Sequence, residues 1–249
     1  MKSTELLETI IKPNTRFNAD KQDKPCCWSS ECYKKRKEKK MDSKRIGAFL
    51  IDFNQNDKLV NQLNFIIEID KVKHIFRQSK LFNSERLEND AEHSWTISIM
   101  CILLKEYANF EVNIEKVISM LLIHDIVEID AGDTFLYSSQ RDESYNNEKK
   151  AADRIFGLLE PDQKKYFLNL WEEFEERKTN EAKFASVFDR LEPIIQNYMS
   201  EGYSWKKNNI TYDMVINKNM HIKDGSEKIW NFVLQLLEKA VEKGYLIKK

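Results

Sequence analysis

Apolar residues recur at helical spacing along most of the chain, and polar clusters separate one periodic stretch from the next. Pro161 stands at the first position of one such stretch, and Asn89 or Asp90 is suited to cap another. A polar connection between Glu201 and Gly225, which holds Trp205 and Tyr212, fits either a lid or a surface loop. The predicted helices span residues 58–82, 90–108, 113–129, 143–159, 161–177, 179–200 and 226–244.

The third predicted helix carries an apolar stripe that turns polar toward its end near Gly132. The stripe comprises Ile114, Val117, Ile118 and Leu121, and the same spacing continues into His124, Asp125 and Glu128. An imidazole and carboxylates on a core-facing stripe cost several kcal/mol unless a metal or a complete hydrogen-bond network compensates. The stretch is therefore a candidate site.

Composition favours an all-α fold of about six to eight helices. The 249 residues include only 6 Gly and 4 Pro, which leaves little material for tight turns. No apolar run is long enough to cross a membrane, and no signal peptide is evident, so a cytoplasmic protein without membrane contact is expected. The four cysteines do not have the distribution of a disulfide framework, and reduced thiols are predicted.

The first part of the chain lacks helical or strand periodicity. Residues 1–45 are predicted to be a disordered basic extension, and 46–249 a single domain. The alternatives to a disordered extension are a thiolate metal site at Cys26, Cys27 and Cys32 and a segment that contacts nucleic acid or another anionic surface. Eleven of the 40 Lys and Arg residues but only six of the 41 Asp and Glu residues lie in 1–40, so the rest carries a net charge of −6. This charge argues against nucleic-acid binding.

Three predicted helices each bring a ligand-capable side chain to the edge of the core. His93 begins the apolar stripe of its helix, His124 and Asp125 end theirs, and Asp189 lies among small residues. Taken singly, His93 could be structural, and Asp189 a capping or ion-paired residue. Two imidazoles and two carboxylates together suit one divalent transition metal such as Mn, Fe, Co, Ni or Zn.

The ordered set His93, His124-Asp125 and Asp189 resembles the H…HD…D signature of the HD-domain metal-dependent phosphohydrolases. The segments around it, RLENDAEHS, HDIVEIDAGDT and EAKFASVFDRLEPIIQNY, are similar to the 5′-deoxynucleotidase-like branch. The resemblance implies an HD-domain helical bundle for residues 46–249. It also implies a metal-dependent phosphomonoesterase that acts on (deoxy)nucleoside 5′-monophosphates.

The same resemblance implies roles for three further residues. Glu128 would be a general acid or base, Asp133 a second catalytic carboxylate, and Arg77 a phosphate-binding residue. A solvated helix-end carboxylate, a turn residue and a surface arginine are the respective alternatives. Many members of the branch carry a tryptophan and a second arginine after the position of Arg77. This chain reads RQSKL there, which leaves the choice between deoxyribose and ribose open and makes Lys80 an alternative phosphate contact.

The sequence leaves two alternative functions open. Hydrolases of (p)ppGpp share the H…HD…D order but place adjacent Glu and Asp after it, whereas here Ile129 follows Glu128. A non-catalytic nucleotide-binding helical module would be expected to have a broken ligand set.

A homodimer is also expected as an alternative to a monomer, with Trp171, Phe174 and Trp230 as either interface or core residues.

Overall fold

The computed structural model describes residues 53, 54, 56–137 and 141–248, apart from the side chains of 141–144. The predicted N-terminal extension and its three cysteines lie outside the described residues. The all-α prediction is confirmed, with eight helices of at least eight residues in the described part of the chain. These longer helices are α1 (Lys58–Ile69), α2 (Asp90–Leu104), α3 (Ile114–Ile123), α5 (Arg141–Phe156), α6 (Pro161–Glu176), α7 (Asn180–Met199), α9 (Tyr212–Asn219) and α11 (Glu227–Glu242). The short ones are α4 (Glu128–Ala131), α8 (Tyr203–Lys207) and α10 (Ile222–Gly225).

The prediction of one helix over 58–82 is wrong in its second half. After α1 the chain makes a 3₁₀ turn at Asp70–His74 and enters strand β1 (Phe76–Lys80), which pairs antiparallel with β2 (Leu87–Asn89). The register is irregular, because Phe76 faces Asn89 and Lys80 faces Leu87. The hairpin delivers Asn89 as the N-cap of α2, where a reciprocal capping box with Glu92 starts the helix.

Residues 201–225, expected to be a loop or lid, are mostly helical. The segment contains α8, α9 and α10, and Trp205 is buried. Asn197 organises its start, because the side-chain oxygen of Asn197 accepts hydrogen bonds from the backbone amides of Ser204 and Trp205. The segment therefore contributes to the core.

Helix α7 is the central element of the core. It packs against α2, α3, α6, α10 and α11. Its apolar face lies in the core, with Phe184 and Phe188 fully buried in an edge-to-face pair 4.9 Å apart. Pro193 lies inside the helix and has no N–H, so the Asp189 carbonyl lacks its usual donor.

Aromatic residues expected either at an interface or in the core lie in the core. Trp171 and Phe174 are buried, and Trp230 is half-buried against the same cluster. Cys101 is buried with a free thiol, and burial raises its pKa to about 12. In the described part of the chain, no helix combines the length and apolar character that crossing a membrane requires.

Packing around Phe156 supports a stability prediction. This side chain is fully buried between Phe65 and Phe167. Phe156→Ala is expected to cost about 3–5 kcal/mol of unfolding free energy, because it leaves a cavity in a close-packed core. Phe232→Ala on α11 is the matched control, since that ring is 52% exposed. Urea unfolding monitored by circular dichroism would measure both, and equal losses would contradict the burial argument.

Candidate metal centre and cavity

The four predicted metal ligands lie close to one another. His93 lies on α2, His124 and Asp125 lie in a 3₁₀ turn at His124–Val127, and Asp189 lies on α7. Asp189 Oδ1 is 3.3 Å from His93 Nε2 and 3.8 Å from His124 Nε2, and Asp125 Oδ1 is 3.1 Å from His124 Nε2. Ligand atoms of His93, His124 and Asp125 all lie within 4.8 Å of one another.

The turn at His124–Val127 explains how the polar stripe reaches the site. Helix α3 ends at Ile123, and the chain tightens before α4 begins at Glu128. His124, Asp125 and Glu128 line one cavity as predicted, although they follow a 3₁₀ turn and not a continuous α-helix. Gly132, with φ of 77°, then ends α4 at the predicted place.

Hydrogen bonds fix the orientation of both imidazoles. His124 Nδ1 is 2.9 Å from the carbonyl oxygen of Leu121, which can only accept, so Nδ1 carries the proton. His124 Nε2 is buried and has no hydrogen-bond partner among the described residues. His93 Nδ1 similarly faces a carboxylate, 3.3 Å from Glu192 Oε2. Each imidazole therefore directs Nε2 toward the shared point.

These distances fit a divalent cation. Ligand atoms at about 2.1 Å from one ion lie about 3.0–3.4 Å apart in neighbouring positions and about 4.2 Å apart in opposite ones. The observed separations of 3.1, 3.3 and 3.8 Å fall in that range. The lone pair of His124 Nε2 meets no hydrogen-bond donor among the described residues, and a cation would accept it.

Three buried carboxyl groups around the site were not predicted. Glu88, Asp90 and Glu192 are each at most 1% exposed. Burial raises the pKa of Glu88 to about 7 and that of Asp90 to about 8. One sequence signal was available for Glu192, which follows Asp189 by three residues and so shares its helical face. Glu192 supports the orientation of His93, as partners of metal-bound histidines commonly do.

Arg77 lies at the site but is engaged by acidic groups. Its Nη1 is 2.8 Å from Asp125 Oδ2 and 3.5 Å from Asp90 Oδ1, and its Nε is 3.9 Å from Glu88 Oε2. Burial would lower the pKa of Arg77, but the surrounding carboxylates raise it well above its ordinary value. The surface-arginine alternative does not apply, because the side chain is only 14% exposed.

The carboxylates predicted to be catalytic lie beside the metal ligands. Carboxylate oxygens of Glu128, Asp133 and Asp90 lie within 4.8 Å of one another. Burial is the main cause that raises the pKa of Glu128 and of Asp133, and in both cases the negative charge of Asp125 adds to it. Glu128 Oε2 is buried and has no hydrogen-bond partner in the described part of the chain. By contrast, Asp130 is exposed and binds Arg154.

A cavity of about 400 Å³ opens from this point. Its volume suits a small ligand. Lys80, considered as a phosphate contact, does not line the cavity; its ammonium lies 4.1 Å from the centroid of the Tyr203 ring. The lining includes residues that were not predicted to belong to a site, among them Gln78, Phe135, Tyr137, Phe174, Glu175, Arg177, Arg190, Asn197, Trp205 and Asn219.

The fold and the site define the class of protein. A family model for the HD domain matches residues 69–230, which is more than half of the chain. The chain belongs to the HD-domain family.

Two named proteins and one solved structure are similar to this chain over part of their length. A protein of Danio rerio named 5′-deoxynucleotidase HDDC2 is 31% identical over 143 residues, covering 57% of this chain and 70% of that protein. The Homo sapiens protein of the same name is 27% identical over 163 residues, covering 64% and 78% respectively. A crystal structure of a predicted metal-dependent phosphohydrolase from Magnetospirillum magnetotacticum is 47% identical, with a TM-score of 0.74, and covers 76% of this chain and 96% of that one.

Proposed function

We propose that this chain is a metal-dependent phosphohydrolase that removes the phosphate from (deoxy)nucleoside 5′-monophosphates. The observation that carries the proposal is the close approach of His93, His124, Asp125 and Asp189 beside a cavity lined by Glu128. The Nε2 atom of His124 has no hydrogen-bond partner there among the described residues. The relatives named as 5′-deoxynucleotidases support the choice of substrate class. The resemblance of the GDT segment at Gly132-Asp133-Thr134 to the same branch favours a nucleotidase over a (p)ppGpp hydrolase.

His93, His124, Asp125 and Asp189 would hold the cation. The mixed nitrogen and oxygen donor set suits Mn, Co, Fe, Ni or Zn better than a cation that prefers only oxygen ligands. When bound, such a cation supplies Lewis-acid chemistry that stabilises the charge developing on a phosphoryl group. Arg77 bridges Asp125 and Asp90, and so keeps one ligand carboxylate in place.

Glu128 moves a proton in this mechanism. Its Oε2 atom is buried in the cavity wall and forms no hydrogen bond with the described residues, so it is available to a reacting group. A carboxyl group in that position accepts a proton from the attacking water or donates one to the leaving 5′-oxygen. Asp133, in contact with the same group of carboxylates, serves as the second proton-transfer residue.

The remainder of the cavity suits a nucleoside. Phe135, Tyr137 and Trp205 supply aromatic surface for a sugar and base, and Asn219 supplies a polar amide. Gln78 and Ser79 also line the cavity. They lie in the segment where the branch that this sequence resembles often carries a tryptophan. Discrimination between ribose and deoxyribose would therefore depend on these two polar side chains and their neighbours.

A substrate panel tests the proposal. The purified protein, supplied with Mn or Co, is offered ribo- and deoxyribonucleoside 5′-monophosphates, the corresponding 3′-monophosphates and (p)ppGpp, and the products are separated by chromatography. The 5′-monophosphates are expected to yield nucleoside and phosphate in equal amounts. Cleavage of (p)ppGpp alone would instead support the alternative hydrolase. Binding of nucleotides without any turnover would support a non-catalytic module.

A further inference from the structure

Three side chains from separate segments form a polar cluster in the wall of the cavity. Tyr137 lies in the turn after α4, Trp205 lies on α8, and Asn219 is the last residue of α9. All three line the cavity, and Trp205 and Asn219 are only 2% and 1% exposed. The Trp205 indole and the Asn219 amide both form hydrogen bonds with the Tyr137 hydroxyl. The proposed hydrolytic step uses none of these three groups, so it does not account for the cluster.

Other contacts hold the two partners of Tyr137 in place. The Nδ2 atom of Asn219 donates a hydrogen bond to the carbonyl oxygen of Val215, 2.8 Å away. The backbone amide of Trp205 donates to the side-chain oxygen of Asn197 at a distance of 3.2 Å. The position of the Tyr137 hydroxyl is therefore set by groups that are themselves fixed.

The Tyr137 hydroxyl accepts hydrogen bonds and keeps its own proton. Burial raises the pKa of Tyr137 to about 12, so the hydroxyl is protonated at neutral pH. An indole N–H can only donate, so the Tyr137 oxygen accepts from Trp205. The Asn219 amide opposes the effect of burial and lowers this pKa, as a donor to the phenolic oxygen does. Tyr137 thus has one O–H donor that neither partner uses.

The surroundings of this donor suit a nucleobase. The Phe135 ring lies 5.4 Å from the Tyr137 ring, and Trp205 adds further aromatic surface to the wall. A nucleobase has a flat face that packs against aromatic side chains, and its edge carries carbonyl oxygens or ring nitrogens that accept hydrogen bonds. A phosphate group fits this wall poorly, because proteins bind it most strongly through charged donors.

We propose that Tyr137, held by Trp205 and Asn219, donates a hydrogen bond to an acceptor atom on the nucleobase of the substrate. Tyr137 is then a specificity-determining residue of the cavity. The inference rests on the proposed function, since it assumes a nucleotide substrate.

Nucleoside 5′-phosphonates test this inference without turnover, because their carbon–phosphorus bond resists hydrolysis. Calorimetry with the metal-loaded, full-length protein would give dissociation constants for three of them: the thymidine analogue, an analogue with a phenyl ring in place of the base, and an analogue without a base. Tyr137→Phe removes the donor and keeps the ring. Tyr166→Phe is the matched control, because Tyr166 is 55% exposed and does not line the cavity.

The wild type is expected to bind the thymidine analogue about 3–10-fold more tightly than the phenyl analogue, and Tyr137→Phe is expected to lose that preference. The phenyl and base-free analogues should bind Tyr137→Phe as they bind the wild type, and Tyr166→Phe should match the wild type with all three. The preference of the wild type is measured on unaltered protein, so it does not depend on how well the variant folds.

Several outcomes would overturn the inference. One is equal binding of the thymidine and phenyl analogues by the wild type, and another is a wild type that binds no analogue. Loss of affinity by the same factor for all three analogues in Tyr137→Phe would assign Tyr137 to the sugar or to support of the wall. If binding through Tyr137 depends on the base but no nucleoside 5′-monophosphate is hydrolysed, the proposed reaction fails while the assignment of Tyr137 stands.

Discussion

Replacement of His124 by alanine is expected to lower kcat/KM for release of phosphate from nucleoside 5′-monophosphates by more than about a hundredfold. Loss of a residue that merely supports a metal ligand commonly costs 10–100-fold, and His124 is a proposed ligand itself. Its Nδ1 is held by the carbonyl of Leu121, which leaves Nε2 as the imidazole atom that faces the other predicted ligands. Steady-state kinetics combined with elemental analysis would show activity and bound metal falling together.

The matched control for that variant is His74→Ala. His74 lies in the 3₁₀ turn after α1 and is exposed, and it does not line the cavity. Full activity and metal content are expected for this variant. If His124→Ala kept its metal and its activity, the assignment of the metal centre would be wrong.

Replacement of Glu128 by glutamine is expected to lower kcat by about 10²–10⁴-fold while the bound metal is retained. The substitution preserves the size of the side chain but removes its ability to transfer a proton. Because Glu128 is not among the four proposed metal ligands, its variant should separate proton transfer from metal binding. Measurement of kcat, KM and metal content at saturating metal would test the separation.

Asp130→Asn is the control for Glu128→Gln. Asp130 lies two residues further along α4, but its carboxylate binds Arg154 outside the cavity. The same change of acid to amide is expected to leave kcat within about twofold of the wild-type value. The carboxylate lies outside the cavity, and exposed ion pairs contribute little to stability. Equal losses in both variants would show that the effect arises from disturbance of α4 and not from the chemistry of Glu128.

The sequence predicted the helical framework because most helices of this fold have one apolar face. The stripe that includes Ile97 and Cys101 on α2 is buried as expected, and the capping position of Asn89 is confirmed. The convergence of His93, His124, Asp125 and Asp189 was predicted from their placement at helix ends and edges. Their roles as metal ligands stay a prediction.

Two segments were mispredicted for physical reasons. Residues 76–80 have apolar neighbours at a spacing that also fits a helix, and only pairing with β2, seven residues further on, makes them a strand. Residues 201–225 are rich in polar side chains, yet tertiary packing buries Trp205, Val215 and Ile222 and stabilises three short helices.

The surroundings of the site were the least predictable part. Glu88, Asp90 and Glu192 are acidic residues in or next to regular elements, and a carboxylate there is usually solvated. Only the three-dimensional arrangement shows that Arg77 and His93 lie against them.

The most direct test of the central proposal is phosphate release by the protein after its metal has been stripped and then restored. Metal-free protein is expected to release no phosphate from deoxyribo- or ribonucleoside 5′-monophosphates, and addition of Mn, Co, Ni or Zn is expected to restore release in the wild type but not in His124→Ala. Tight metal binding without phosphate release from any nucleotide would contradict the proposed reaction, and release that persists in metal-free protein would contradict the metal-dependent mechanism.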